Sequence, residues 1–324
     1  MARKLYASIP NCSNILSINV QDSHGAQLGV AMIECATTSL DVGSAITIDA
    51  GYTDHHQNMF TGYVKNIEIK EPEKTYAITC SNYLVRAVDF FIASTTPTNP
   101  FTRKNIKAED LIHDVLDLAG ITNYGYDTSY FTFAINNPLE VNLTGAYDYC
   151  KFISDILAFS IYADINGKVW FINRRPYVMG GDTPIGTING DAVVNNEIID
   201  IRHSKSDRDL RNKIIVYGTG SVHAEASASS PYLPAGFYKT VVVAAPGVID
   251  SNGMAQASAD YNLELLNRLT ESVQLTVLGN PDYQPRETLT ITRTALGISG
   301  DWYIYTAEHM WSREGYTTTL ELRK

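Results

Sequence analysis

The chain has 324 residues, 44% of them hydrophobic and 19% charged, with a net charge of −10 at pH 7. That length suits two or three domains, with cores large enough to need no staples. The acid excess argues against a nucleic-acid-binding role, which needs a basic face to neutralise phosphates, but it does not exclude a channel that nucleic acid merely crosses, where an acidic wall would prevent sticking.

The opening Met1-Ala2-Arg3-Lys4-Leu5 has no apolar core of the kind a secretory signal carries. No apolar run anywhere approaches the ~20 residues of a membrane span. Residues 1 to about 93 read as β, with short strands over 15–20, 29–36 and 46–49. Tyr63, Ile67 and Ile69 then alternate with Val64, Asn66 and Glu68. A turn at Glu71-Pro72-Glu73-Lys74 leads to a return strand carrying Tyr76, Ile78 and Cys80, so a hairpin with one apolar face is expected. The Thr- and Pro-rich stretch 95–100 is a break.

A helix is predicted over about 108–119, burying Leu111, Ile112, Val115, Leu116 and Ala119, with Gly120 placed for a left-handed C-terminal cap. A second is predicted over about 145–159, with Thr144 as N-cap and Tyr149, Phe152, Ile153, Ile156 and Leu157 inward. Residues 161–164 and 168–172 flank Asn166-Gly167, a preferred pair for a two-residue hairpin turn in which both residues take positive φ. Residues 101–175 therefore read as a small α+β unit inserted between β regions.

From Asn196 to Tyr217 the pattern is β again, and the small, polar stretch 219–230 reads as an exposed loop or mobile hairpin tip. Another strand covers 238–244. An amphipathic helix over about 254–269 follows, with Met254, Ala257, Tyr261, Leu265 and Leu269 in one stripe. It runs into a terminal module that alternates at period two, at Leu289 and Ile291, Tyr303 and Tyr305, then Leu320 and Leu322. The twenty tyrosines suit strand surfaces and protein–protein interfaces, because each combines a broad apolar body with a polar tip.

None of the chemistry-bearing clusters reaches the standard of a site. His55 and His56 are adjacent, so on a strand they point to opposite faces and would not share one ion; a solvated loop is the preferred reading. Glu109, His113 and Asp117 share a helix face but lack an HExxH pattern, and read as a charged outer face. Glu34, Asp41, Asp49 and Asp54 are scattered carboxylates whose mutual geometry sequence cannot give; a peptidoglycan-cleaving pair among them stays open. Ser13, Ser94 and Ser154 lack a GxSxG elbow. Cys150 lies mid-helix, away from the N-terminal dipole that would activate it. All four cysteines (Cys12, Cys35, Cys80, Cys150) lack a CxxC partner and read as reduced, mostly buried thiols. Gly218-Thr219-Gly220 lacks the third glycine and the helix of a nucleotide loop. Arg174-Arg175 and the basic stretch 205–211 read as inter-subunit ion pairs or solvated charge. We assign no catalytic, cofactor-binding or metal-binding residue.

Several stretches, in this order, resemble a known family: 111–121 (LIHDVLDLAGI), 146–158 (AYDYCKFISDILA) with 163–171 (ADINGKVWF), 209–218 (DLRNKIIVYG), and the late helix leading to Gly279-Asn280-Pro281. Together they resemble the baseplate hub proteins of bacteriophage tails, the late-control-D-type group shared with contractile injection systems. Members often carry a Pro-Gly-Asp-like turn before the last strands, where this chain has Pro285-Arg286-Glu287, which leaves the turn type open. With no lysozyme-like, needle-like or peptidase extension after Lys324, the resemblance implies a minimal hub.

The resemblance implies an α+β, mainly β fold, with two related antiparallel β-barrel domains bracketing an inserted small α+β domain. The expected division is a first barrel over 1–95, the insert over 96–190, return strands over 191–245, and a helix plus second barrel over 246–324. It also implies a homotrimeric, pseudo-sixfold ring in the virion tail, assembled in the host cytoplasm. Its expected partners are the tail tube or distal tail protein, a spike or tail-tip protein, and the tape-measure protein. DNA would pass the lumen without specific binding, and no cofactor, enzymatic activity or membrane insertion is expected. The alternatives are a tail-associated peptidoglycan hydrolase and a host-glycan-binding tail protein.

Overall fold

The computed structural model describes residues 3–93, 101–129, 131–134, 138–193 and 196–324; the predicted break at 95–100, and Ser94, lie outside them. Six strands come first: β1 (Leu5–Ser8), β2 (Cys12–Ser23), β3 (Val30–Thr38), β4 (Ala45–Tyr52), β5 (His55–Lys70) and β6 (Thr75–Asn82). They pair antiparallel in the order β1-β4-β5-β6-β3-β2. Their inward residues, among them Ile18, Ile33, Ile48, Val64 and Ile78, form one core. The predicted β5–β6 hairpin is present, but its apolar face differs from strict alternation. Val64 opposes Cys80 and Ile67 opposes Ile78, with a bulge between Val64 and Asn66. The extra residue lets two apolar side chains three apart share the core face, and leaves Tyr63 on the other.

The short helix α1 (Val85–Asp89) and strands β7 (Phe91–Ile92), β8 (Phe101–Arg103) and β9 (Ile106–Lys107) lead to α2 (Ala108–Leu118). Leu111, Ile112, Val115 and Leu116 are buried as predicted. Gly120 closes the helix at φ +71°, its N–H and that of Ile121 donating back to Asp117 and Leu116 carbonyls at 3.0 Å. Next come β10 (Tyr124–Tyr126), β11 (Thr132–Phe133), β12 (Leu139–Val141), β13 (Thr144–Gly145) and α3 (Ala146–Leu157). Thr144 is not the N-cap of α3: it pairs with Ile92 in a two-residue ladder, and Gly145 takes the cap position without a side-chain bond. The buried face of α3 runs through Tyr147, Cys150, Ile153 and Ile156, which turns Phe152 outward.

Strands β14 (Ser160–Ala163) and β15 (Val169–Ile172) form the predicted hairpin. Only Gly167 has positive φ, at +79°. The turn is therefore a longer loop held by Asp164, whose Oδ1 accepts from the N–H groups of Asn166 and Lys168 at 2.9 Å.

The remaining elements are β16 (Thr187–Asn189), β17 (Ile198–Ser206), β18 (Lys213–Tyr217), β19 (His223–Ser227), β20 (Thr240–Ala244), α4 (Asn252–Leu266), β21 (Thr270–Leu278), β22 (Thr288–Thr292), β23 (Asp301–Ser312) and β24 (Gly315–Arg323). The stretch predicted as a polar loop contains β19, which pairs with β18 and buries Ala224 and Ala226. Helix α4 packs on β18 and β19 and joins the core of the insert; it does not serve the terminal module. Its buried face is Ala255, Ser258, Ala259 and Asn262, while Met254, Tyr261 and Leu265 sit half-buried at its flanks. Small side chains allow close helix–sheet approach, and Met254, Ala257 and Tyr261 of the predicted stripe pack at the margin of the same core, whereas Leu265 and Leu269 do not belong to it.

The fold is mainly β, built on one large antiparallel sheet. Strand β2 has β3 on one edge and β23 on the other, and the order continues β23-β24-β21-β17, with β22 also on β23. Among the described residues no pairing closes either half into the barrel we expected. The edge that β2 would offer to β1 is taken by β23 over seven residue pairs, from Ser17–Ser312 to Ser23–Thr306. The second half has its own core around Val273, Leu275, Leu289, Ile291, Trp302 and Leu320. A bulge between Ile304 and Thr306 again keeps two apolar residues three apart, Ile304 and Ala307, on one face. Tyr303 and Tyr305 consequently point away from that core. Among the described residues no helix is long and apolar enough to cross a membrane.

Candidate functional site

The polar groups that the fold concentrates lie where the sheet meets the insert. The end of β2 supplies Asp22 and Ser23 and the turn after it His24; the β14–β15 hairpin and its exit supply Ser160, Tyr162 and Arg174; the turn before β22 supplies Arg286; and β23 supplies Tyr303. Arg286 is the centre. Its guanidinium donates to Asp22 Oδ2 at 2.7 Å and to the Ser23 carbonyl at 2.9 Å, and lies 3.9 Å over the Tyr162 ring. Its backbone sits at φ +79°, a conformation that favours glycine. The Pro285-Arg286-Glu287 turn thus takes a glycine-like shape with an arginine whose side chain is almost fully buried.

Arg174 completes the cluster. It donates through Nε and Nη2 to the Arg286 carbonyl at 3.2 and 3.0 Å, pairs with Asp182 at 3.0 Å, and lies over Tyr303. Arg175 is buried against Tyr261 and faces Glu264 at 3.6 Å. Both arginines therefore act within one subunit, which corrects the inter-subunit or solvated reading. A cavity of about 340 Å³ opens beside them, walled by Tyr162, Trp170, Arg174 and Glu287. Burial raises the Glu287 carboxyl above its ordinary pKa.

His24 Nε2 lies 3.1 Å from Ser160 Oγ, with Asp22 two residues away, so the group looks at first like a nucleophile and its base. Proton placement rules that out. Ser160 Oγ has one hydrogen and donates it to the Arg174 carbonyl at 2.6 Å, so it must accept from His24 Nε2–H. Nδ1 then accepts from the Tyr303 hydroxyl at 2.5 Å. A histidine with its proton on Nε2 cannot remove one from Ser160. Burial, followed by the nearby Arg286, Arg174, Arg323 and Lys151 charges, lowers its pKa to about 3 and keeps the ring neutral. Asp22 is committed to Arg286. The cluster is a lock between sheet and insert.

The residues singled out in the sequence do not converge. His55 and His56 lie in β5 rather than a loop; they point to opposite sides as expected, His55 to Asp282 at 2.9 Å and His56 to Asp49 at 2.9 Å. Glu34 pairs with Lys70, Asp54 with Arg3, and Asp41 accepts from the Val42 N–H, so each of these carboxylates has a separate partner. Glu109 is not on an outer face: it is buried and accepts from the Ser129 N–H and Oγ at 3.1 and 2.6 Å. His113 stacks on Tyr124 at 4.0 Å, and burial lowers its pKa despite four surrounding carboxylates. Ser154 is buried and donates to the Cys150 carbonyl at 2.7 Å, and Ser13 is exposed. Cys35, Cys80 and Cys150 are buried and all four thiols are free. Gly218 and Thr219 form a tight turn against Ile249. Lys205 pairs with Glu271 at 2.9 Å. Among the described residues no group of three or more His, Cys, Asp or Glu could hold a metal ion.

Sequence reading passed over His24, Ser160, Tyr162 and Tyr303 because their partners are remote in the chain; His24 and Tyr303 are 279 residues apart. The departure at Arg286 from a glycine-bearing turn was the only local signal.

No protein-family model matches the sequence, and no curated protein matches it. Solved structures do. A tail protein from Neisseria meningitidis is 11% identical, with a TM-score of 0.71 over 99% of this chain and 97% of its own. A 43 kDa prophage tail protein from Shewanella oneidensis is 13% identical, with a TM-score of 0.69 over 99% and 98%. An E. coli component of the type VI secretion system, itself described as structurally similar to the phage T4 tail proteins gp27 and gp5, is 8% identical, with a TM-score of 0.60 over 98% and 76%. At these identities the likeness is one of fold, and it spans almost the whole molecule: the chain has the fold of these two tail proteins and of the secretion-system component.

Proposed function

We propose that this protein is a structural hub or adaptor of a phage tail tip or baseplate and has no enzymatic role. The observation that carries the proposal is the fold shared end to end with two tail proteins, one of them from a prophage. In this reading three copies form a ring, and the two half-sheets of each take the parts of the two related barrels, so that threefold symmetry imitates sixfold. Among the described residues β1 and β17 end the strand order, and such edges support an assembly closed by a neighbour. One side of the ring docks on the tail tube or distal tail protein and the other on a spike or tail-tip protein. The lumen passes DNA and the tape-measure protein without specific binding, which an acid-rich chain favours. The protein is placed in the virion tail after assembly in the host cytoplasm. The division at 95, 190 and 245 belongs to the same proposal, with α4 packed on the insert side of the last boundary, and limited proteolysis reads it.

Light scattering combined with negative-stain imaging tests the proposal. The expected result is a species of three times the 35.8 kDa chain mass, with a central hole, alone or with a tail partner. A stable monomer that never enters tails overturns it. Clearing of purified cell walls by the protein would overturn the non-enzymatic part.

A further inference from the structure

The pairing of β2 with β23 creates a surface that neither half has alone. Outward residues of five neighbouring strands, β6, β3, β2, β23 and β24, line up across the seam. One cross-strand row reads Thr79, Met32, Asn19, Met310, Thr317, and the next reads Ala77, Glu34, Ser17, Ser312, Gly315. A groove of about 660 Å³ runs along these rows. Its apolar floor is Met32 and Met310, 50% and 51% exposed, set on either side of Asn19. These are interior strands of a ten-strand path, and among the described residues the two methionines remain half-exposed there. Methionine is flexible and polarisable, and suits a surface that moulds to a partner.

The charged lining is three carboxylates and one ammonium group. Glu34, Glu68 and Glu314 line the groove, and Glu308 lies beside it, donated to by the Asn19 amide at 2.9 Å. Lys70 is the one cationic side chain lining it, and it is paired with Glu34 at 3.1 Å. The basic residues on the exposed edge of β17 are engaged within the subunit, Arg202 with Asp200 and Lys205 with Glu271. A second copy would bring a further net charge of −10 to an acidic face.

We propose that this groove is the docking surface for a different protein of the tail, through an apolar segment flanked by lysine or arginine. The proposal rests on the tail reading above. The Met side chains cover the apolar segment, and the glutamates meet the flanking cations.

Methionine oxidation by dilute hydrogen peroxide, read by peptide mass spectrometry, tests it on the isolated full chain and on assembled tails. Buried Met59, 2% exposed, is the slow control. Met32 and Met310 should oxidise readily in the isolated protein and about tenfold more slowly in tails, because a covered thioether loses access to the oxidant. Protection already present in the isolated protein would assign the face to a second copy and overturn the proposal. Equal oxidation in both states, with the protein demonstrably in the tails, would overturn it while leaving the tail reading intact; absence of the protein from tails would remove the tail reading itself. The double variant Glu68→Lys/Glu314→Lys changes two exposed side chains, so it should fold as wild type and enter tails poorly. Normal entry of that variant would refute the requirement for a basic partner.

Discussion

The Arg286 lock makes a quantitative prediction. Replacing Arg286 leaves Asp22, whose side chain is about three-quarters buried, without its countercharge. Removing one partner of a buried pair costs about 3–5 kcal/mol, and the partial exposure of Asp22 places the expected loss near the lower end, about 3 kcal/mol. With an unfolding entropy of about 2.1 cal/mol/K per residue, a 324-residue chain loses about 4 °C in Tm for that change. The backbone adds a second, opposite signature. At φ +79° a β-carbon is unfavourable by about 1–2 kcal/mol, so Arg286→Gly should be more stable than Arg286→Ala by about that amount, the reverse of the usual order. Urea unfolding of both variants, with Asp22→Asn and the double variants to close the cycle, reads both effects. Arg286→Ala within 1 kcal/mol of wild type, or no advantage for glycine, would refute the assignment of Arg286 as the lock.

Three further outcomes follow from named contacts. His24 and His309 are buried and neutral, with pKa values lowered to about 3 and about 4, mainly by burial. The unfolded chain takes up protons on both near pH 6.5 and the folded chain does not, so stability should fall as pH drops from about 6.5 toward 4. In the window pH 6.5 to 5, before most carboxylates titrate, His24→Gln and His309→Gln should each flatten the slope of denaturation midpoint against pH; an unchanged slope would count against buried neutral histidines. In α4, Ala259→Leu should cost about 1–3 kcal/mol by overpacking against β18 and β19, and Leu265→Ala less, as calorimetry can rank; the reverse order would restore the stripe predicted from sequence. The hairpin tip docks on β5, where Asn58 Nδ2 donates to the Ile165 carbonyl at 2.7 Å, and a β-carbon on Gly167 would lie 2.7 Å from the Tyr83 ring. Gly167→Ala should therefore cost about 1–3 kcal/mol and speed amide exchange over residues 160–172, and wild-type exchange there would refute the docking.

Local order was legible where neighbours in sequence are neighbours in space. The α2 stripe at Leu111, Ile112, Val115 and Leu116, with Gly120 after it, carried its own face and stop. The β5–β6 and β14–β15 hairpins were readable because turn chemistry and alternation lie within one short window. Reading failed wherever a remote contact set the outcome. Val64 and Ile304 lie inside because bulges re-phase their strands. Ala224 and Ala226 make a strand out of a small, polar stretch because α4 closes over it. Thr144 is drawn into a ladder with Ile92 rather than capping α3. The polar lock was invisible, since Arg286 and Asp22 are 264 residues apart.

The sequence by itself determined the helical periodicities, the two helices of the insert, the presence of two hairpins and the acid balance, because each depends on side chains within a few residues of one another or on a simple sum. The tertiary structure decided that β2 takes β23 as its second neighbour, which opens the expected barrels into one sheet, forms the outer groove and brings His24, Arg174 and Arg286 together. A strand edge can pair with any other edge of matching alternation. Which one it takes is fixed by cores and turns far along the chain, and no local window contains them.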